Sequence, residues 1–149
     1  MRKNYFIAGL AALTLAGLVS PVSPVSPAAA ESAAFMADLK GASEVPPNTS
    51  KASGAATATY DTATKKLSWK VNFKDLSGPA TGAHFHGPAD ATKNADVAVA
   101  IPGTASPMEG SATLTDAQAA DLMAGKWYVN VHTDANKDGE IRGQVLKGK

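Results

Sequence analysis

The sequence has 149 residues, no cysteine, and 14 Lys and Arg against 13 Asp and Glu, for a net charge of +1. A chain with so small a net charge is not expected to bind nucleic acid or anionic lipid through its overall charge, because such binding requires clustered Lys and Arg. The lack of cysteine excludes disulfides, thiolate metal sites, iron–sulfur clusters and thiol nucleophiles, which leaves nitrogen and oxygen atoms as the metal ligands.

Residues 1–30 are typical of a secretory signal peptide. The segment starts with positive charge, continues with an apolar run over 5–19, and places three alanines just before Glu31, where a signal peptidase accepts small residues. We therefore expect a mature single domain over residues 31–149 that is secreted or periplasmic and does not contact the membrane after cleavage. The alternative is an uncleaved anchor, which the repeated prolines disfavour because they interrupt a helix.

The mature chain is dominated by short runs in which apolar and polar residues alternate. The run from Lys66 to Lys74 alternates strictly, which is typical of a half-buried strand, and one face consists of Leu67, Trp69, Val71 and Phe73. Turn residues separate it from seven similar runs, at 34–39, 53–60, 81–86, 97–101, 110–114, 126–132 and 140–146. We therefore predict an all-β domain, an antiparallel sandwich or barrel of about eight strands.

One short helix is predicted between two of these strands. Thr115 and Gln118 have the spacing of a capping box, Asp116 suits the positive end of a helix dipole, and Gly125 marks the stop. The apolar residues between them recur at helical spacing. We interpret the segment as a helix packed on the sandwich and assign it no chemistry.

The three histidines all fall on predicted strands. His84 and His86 are two residues apart, so they project from one face of a strand while Phe85 points into the core. On the strand of His132, Trp127, Val129 and Val131 form the apolar face, which turns Tyr128, Asn130 and His132 the other way. If the two strands are neighbours, three imidazoles meet in a site that suits copper or zinc. The alternative is that the histidines are polar surface residues that hydrogen-bond to loops.

A second candidate metal site begins at Asp134. Asp134, Asn136, Asp138 and Gly139 match the opening of a calcium loop, in which side-chain oxygens alternate and glycine permits a sharp turn. The bidentate carboxylate required at the twelfth position is replaced by Val145. We therefore favour the alternative, a polar hairpin in which Asp and Asn bond to their own turn.

Motifs of hydrolytic and nucleotide-dependent enzymes are missing from the sequence, which contains no G-x-S-x-G, H-E-x-x-H, P-loop or G-x-G-x-x-G pattern. Arg142 lies on the strand after His132 and shares a face with Gln144. It is a candidate for a cation that guides anions towards the histidine site. The alternative is an ordinary exposed arginine, and the balance is against an enzyme.

Several separate motifs resemble the CHRD (chordin) domain family, in the family's order and over nearly all of the mature chain. They are EVPP at 44–47, GPA at 78–80, AHFHGPA at 83–89, LT at 114–115 with Gln118 and Leu122, YVNVHT at 128–133 and GEIRGQ at 139–144. The resemblance implies an immunoglobulin-like β-sandwich outside the cell. CHRD domains occur as repeats in chordin, which sequesters growth factors, and as single secreted domains in bacteria.

A fainter similarity is to copper–zinc superoxide dismutase, whose copper is held partly by a His-x-His strand and by a histidine that ends another strand. His84, His86 and His132 occupy comparable places, and Arg142 resembles the arginine that guides the anion there. The fourth copper histidine, the bridging histidine, the zinc loop and the disulfide are missing from this sequence. The similarity therefore implies copper binding without efficient dismutation.

Three functional hypotheses follow from the residues and the resemblance. The first is a secreted or periplasmic protein that binds copper, or zinc as second choice, through His84, His86 and His132, for buffering or delivery. The second is a non-catalytic module that binds an extracellular or envelope protein without a metal. The third is a weak oxidoreductase similar to superoxide dismutase.

Overall fold

The computed structural model describes residues 31–148, so the predicted signal peptide lies outside the described residues. The described part contains eight strands, one α-helix and a single 3-10 turn at Gly41–Ser43. Their bounds are β1 Ser32–Lys40, β2 Ser53–Asp61, β3 Lys66–Lys74, β4 Ala80–His86, β5 Val97–Ile101, β6 Met108–Thr113, α1 Asp116–Met123, β7 Trp127–Thr133 and β8 Asn136–Lys147.

All eight strands form one antiparallel sheet in the order β5-β4-β7-β8-β1-β2-β3-β6. The two end strands, β5 and β6, approach each other, so the sheet curls into a nearly closed barrel or sandwich. The prediction of an antiparallel all-β fold with about eight strands and one short helix is confirmed.

The core is formed by the inward-facing residues, which are every second residue along a strand. Along β3, Leu67, Trp69 and Val71 are at most 6% exposed, while Ser68 and Lys70 between them are exposed. The other strands contribute residues buried in the same way, among them Phe35, Leu39, Phe85, Trp127, Val129, Val131, Ile141 and Val145. Burial of each large apolar side chain stabilises the fold by about 1.5–3 kcal/mol.

Helix α1 begins and ends where the sequence predicts. The backbone N–H of Gln118 donates to Thr115 Oγ1 at 3.2 Å, and the N–H of Thr115 donates to Gln118 Oε1 at 3.0 Å, which completes the capping box. Gly125, just after the helix, has a φ of +70°, a conformation that favours glycine. No helix in the described part of the chain is long and apolar enough to cross a membrane.

The segment that resembles a calcium loop is a tight hairpin. Thr133 pairs with Asn136, so Asp134 and Ala135 form a two-residue turn and β8 begins four residues earlier than predicted. The Asn136 side chain donates weakly, at 3.4 Å, to the hydroxyls of Ser77 and Thr133. The segment thus forms a polar hairpin, the local structure that the sequence favours.

The loop that joins β4 to β5, residues 87–96, covers part of the sheet's outer face. Gln144 Nε2 donates to the carbonyl of Ala89 at 2.9 Å, and the backbone N–H of Ala95 donates to the Tyr128 hydroxyl at 3.2 Å. As a result Tyr128 and Asn130 are only 3% and 2% exposed. Alternation correctly places both residues on the outer face of β7, opposite the apolar core. The β4–β5 loop covers this part of the outer face and shields it from solvent.

Candidate metal centre

The two strands that carry histidines, β4 and β7, are neighbours in the sheet. Their register places His84 opposite Asn130 and Gly82 opposite His132. Phe85, between the two histidines of β4, is fully buried in the core. Since side chains alternate along a strand, all three imidazoles lie on the outer face of the same strand pair.

One ring nitrogen from each of His84, His86 and His132 lies within 4.8 Å of the other two. The shortest separation is 3.0 Å, between His84 Nδ1 and His132 Nε2. The ring centroids are 5.0, 5.5 and 6.4 Å apart. The structure thus brings the three predicted residues together, in an arrangement compatible with a metal ion.

Backbone carbonyls fix one nitrogen in each of two rings. His132 Nδ1 donates to the carbonyl of Lys137 at 2.8 Å, and His86 Nδ1 donates to the carbonyl of Ala95 at 2.9 Å. Because a carbonyl only accepts, each Nδ1 carries a proton, and in the neutral ring each Nε2 keeps its lone pair. A ring N–H bonded to a carbonyl is the usual outer arrangement around a histidine that binds a metal.

Asn130 is the residue of this site that sequence reasoning missed. Its Oδ1 lies 3.1 Å from His86 Nε2, and its Nδ2 donates to the carbonyl of Asp138 at 3.3 Å. Asn130 precedes His132 by two residues and therefore lies on the same face of the strand. This shared face is the feature of the sequence that could have indicated Asn130 as part of the site. Its contact with β4 depends on strand register, which the pattern does not give.

The Tyr128 ring lies between His86 and Arg142. The His86 ring stacks on it, with centroids 4.8 Å apart and planes 4° apart, and the Arg142 guanidinium carbon lies 3.4 Å from the Tyr128 centroid. Because β7 lies between β4 and β8, the two contacts are on opposite faces of the ring. Tyr128 also donates its hydroxyl hydrogen to the carbonyl of Ala95, the acceptor of His86 Nδ1, at a long 3.4 Å.

Arg142, the predicted anion-guiding residue, is 1% exposed. Its Nη1 donates to Asn94 Oδ1 at 2.8 Å and its Nη2 donates to the carbonyl of Lys93 at 2.7 Å. The guanidinium therefore holds the β4–β5 loop in place. Its charge sits behind Tyr128 rather than beside the histidines, and its role towards anions stays a prediction.

Burial and mutual repulsion lower the pKa values of two histidines. For His84 burial is the larger cause, and the nearby His132 and His86 rings add to it. For His86 burial again outweighs every other influence, including the contacts with the oxygens of Ala95 and Asn130, which favour the protonated ring and act to raise its pKa. Both rings are therefore neutral at neutral pH, the form that binds a metal.

Glu44 is a buried carboxyl beside this face, with an exposure of 6%. Burial raises its pKa to about 7, against the opposing effect of the Arg142 charge. Its Oε1 has no hydrogen-bond partner among the described residues. A Cβ at Gly139 would contact this oxygen and would lie 2.8 Å from Asn130 Nδ2, so only glycine fits between the two side chains. In the sequence Glu44 stands out only as the first residue of the EVPP motif.

Fold and site together define a small antiparallel β-barrel with three converging histidines on its outer face. The family model of the CHRD domain matches residues 35–145, and the chain belongs to this family. No curated protein and no solved structure matches the chain. The family assignment confirms the resemblance found in the motifs.

Proposed function

We propose that this CHRD-domain protein binds one transition-metal ion through His84, His86 and His132, with copper preferred to zinc, and serves in copper buffering or delivery. The observation that carries the proposal is the convergence of three ring nitrogens within 4.8 Å. Three imidazoles are a common donor set for both metals, and the chain has no thiolate to compete with them.

The spacing of two of the nitrogens supports copper. His84 Nδ1 and His132 Nε2 are 3.0 Å apart. For a metal at the usual 2.0–2.1 Å from both atoms, the nitrogen–metal–nitrogen angle is about 91–97°. This is close to the right angle of a tetragonal Cu(II) complex and narrower than the roughly 109° of tetrahedral zinc. Zinc would require these two rings to separate by a few tenths of an ångström.

Isothermal titration of the purified protein with Cu(II) and Zn(II) tests the proposal. We expect one Cu(II) per chain in the wild type and loss of that binding in His84→Ala and in His132→Ala. Lys66→Ala, an exposed change on β3, is the matched control and is expected to bind as the wild type does. Wild-type protein that shows neither heat nor a bound-copper spectrum would contradict the proposal and favour the metal-free interaction module.

We place this function outside the cytoplasm because residues 1–30 have the pattern of a signal peptide. The domain itself then occupies residues 31–149. Expression of the full chain in a bacterial host, followed by fractionation and N-terminal sequencing, tests the assignment. We expect an exported product that begins at Glu31; a full-length product in the cytoplasm would contradict it.

Anion attraction by Arg142 is part of the proposal and acts through charge alone, because its Nη1 and Nη2 already donate to the β4–β5 loop. Azide affinity of the copper-loaded protein tests it. We expect Arg142→Met to weaken azide binding and Arg142→Lys to retain most of it, with a difference that shrinks at high salt. Equal affinities for both variants at low salt would contradict this role.

The oxidoreductase hypothesis is tested separately by superoxide consumption. Three imidazoles with no bridging histidine and no zinc loop lead us to expect that the copper-loaded protein does not consume superoxide faster than the same concentration of free copper. A rate well above that of free copper, lost in His132→Ala, would instead establish an enzyme.

A further inference from the structure

We infer that Asn130 supplies a fourth donor to the proposed metal site, through its side-chain carbonyl oxygen, and so makes the site a three-nitrogen, one-oxygen set. The inference rests on the proposed function, since it names a ligand of the same site. It adds a residue that lies beside the histidine group and carries no other assigned role.

The position of Asn130 follows from strand pairing. It lies directly opposite His84 across the β4–β7 pair, contacts His86 through its oxygen, and precedes His132 by two residues on the same face. It is therefore adjacent to all three histidines. With an exposure of 2%, its amide is shielded from water, so its polar atoms depend on partners within the site.

The orientation of the amide is set by its nitrogen. Asn130 Nδ2 donates to the carbonyl of Asp138, and Glu44 Oε1 lies on the same side, next to Gly139. Turning the amide over would direct its oxygen at the carbonyl oxygen of Asp138, which cannot donate. The oxygen therefore faces the histidines, held there in the way that outer hydrogen bonds orient a metal ligand.

The contact between Asn130 Oδ1 and His86 Nε2 lacks a hydrogen in the neutral protein. His86 Nδ1 carries the ring proton, because it donates to the carbonyl of Ala95, so Nε2 directs a lone pair at the amide oxygen 3.1 Å away. Two electron-rich atoms this close repel each other unless a cation binds to both of them. The pair is therefore suited to share a metal ion.

The separation also fits one ion. Asn130 Oδ1 and His86 Nε2 are 3.1 Å apart, so a metal at about 2.0–2.1 Å from both would have an oxygen–metal–nitrogen angle of about 95–102°. This is similar to the angle for His84 and His132. Both pairs thus fit neighbouring corners of a tetragonal complex. A tetragonal set of nitrogen and oxygen donors favours Cu(II) over the tetrahedral geometry preferred by zinc.

The decisive experiment uses wild-type protein loaded with one Cu(II) and labelled with asparagine that carries ¹³C at the side-chain carbonyl. Electron–nuclear double resonance is expected to show a ¹³C coupling too strong for a carbon outside the coordination sphere. Because nothing is substituted, the result does not depend on whether a variant folds. A spectrum with imidazole couplings and no such ¹³C coupling would overturn the inference and leave the three-histidine site standing.

Two substitutions supply the matching affinity data. Asn130→Leu removes the oxygen at nearly constant volume, and we expect it to weaken Cu(II) binding about 10–100-fold and to change the copper resonance spectrum. Asn130→Asp keeps an oxygen donor and is expected to bind Cu(II) at least as tightly as the wild type. Asn72→Leu, on the exposed face of β3, is the control.

These outcomes separate the two claims. An unchanged affinity and spectrum in folded Asn130→Leu would reject Asn130 as a ligand while copper binding stands. Failure of the wild type to bind copper would remove both the inference and the proposed function, and the titrations of His84→Ala and His132→Ala would then show no difference from the wild type.

Discussion

Tyr128 and Arg142 form a stacked pair, with the guanidinium carbon 3.4 Å above the ring centroid. The opposite face of the same ring supports His86. The pair therefore links the buried charge of β8 to the histidine group of β4, and Ala95, which accepts from His86 Nδ1, belongs to the loop that Arg142 holds. The positions of loop, ring and histidine depend on one another.

Removal of the Arg142 guanidinium is expected to loosen the β4–β5 loop and destabilise the fold. Arg142→Met loses two short charge-assisted hydrogen bonds and a cation–π contact, so we expect a loss of about 2–4 kcal/mol in the free energy of unfolding. Denaturant titration measures the loss, and hydrogen exchange should show faster exchange in residues 87–96. A loss below about 1 kcal/mol with an unchanged exchange pattern would contradict this expectation.

Copper binding is expected to persist to lower pH than ordinary histidines would allow. The pKa values of His84 and His86 lie below 6.5, so protons compete for these rings only at lower pH. Below that point affinity should fall by roughly tenfold per pH unit for each proton displaced. Cu(II) titrations between pH 4 and 8, compared with a peptide of residues 82–88 in which the histidines are exposed, provide the test.

The same lowered pKa values predict how the stability of the metal-free protein responds to acid. Below pH 6.5 the unfolded chain binds protons at His84 and His86 more readily than the folded protein does, so the free energy of unfolding should decrease as pH falls through this range. Saturating copper should offset the decrease by mass action. A smaller loss of stability on acidification in His84→Gln than in the wild type is expected; identical pH profiles for the two proteins would contradict it.

Glu44 is expected to give the opposite pH dependence. Its pKa is raised to about 7, so between pH 4.5 and 7 the folded protein holds a proton that the unfolded chain has lost. This contribution to stability is complete below pH 4.5 and is lost as pH rises through 7. Relative to Glu44→Gln, the wild type should lose on the order of 2–3 kcal/mol between pH 5 and pH 8. Glu109→Gln, at an exposed site, is the control and should show no comparable difference.

A second buried carboxylate, Glu140, is expected to remain ionised and to stabilise the barrel end. It accepts hydrogen bonds from Ser50 Oγ at 2.7 Å, Thr133 Oγ1 at 2.7 Å, and both Oγ and N of Ser77 at 2.6 and 2.8 Å. Burial acts to raise the pKa of Glu140, but these hydrogen bonds outweigh it and lower the pKa to about 2. The stabilisation is thus present above pH 4.5 and is lost as pH falls towards 2.

Ser77→Ala measures the strength of this network. Loss of a short hydrogen bond to a charged group should cost about 1.5–3 kcal/mol at pH 7 and shift acid unfolding to higher pH. Ser111→Ala removes an equivalent hydroxyl from the exposed face of β6 and should have little effect. Equal acid-unfolding midpoints for the two variants would argue against an ionised, hydrogen-bonded Glu140.

The sequence by itself determined the side of the strand on which the central core residues and the three histidines lie. Strict alternation places Leu67, Trp69 and Val71 in the core, and the same parity places His84, His86 and His132 on the outer face. The capping residues Thr115 and Gln118 located helix α1 in the same local way. These predictions succeed because a two-residue period and a helix cap depend only on neighbours along the chain.

Only the tertiary structure decided which outward residues meet and which are covered. The register of β4 with β7 places Asn130 opposite His84, and a shift of one residue would have moved it to the other face. The β4–β5 loop buries Arg142, and Glu44 is buried on the same face. Register and loop placement join segments separated by tens of residues. They depend on packing across the whole sheet, which a local pattern in the sequence does not reveal.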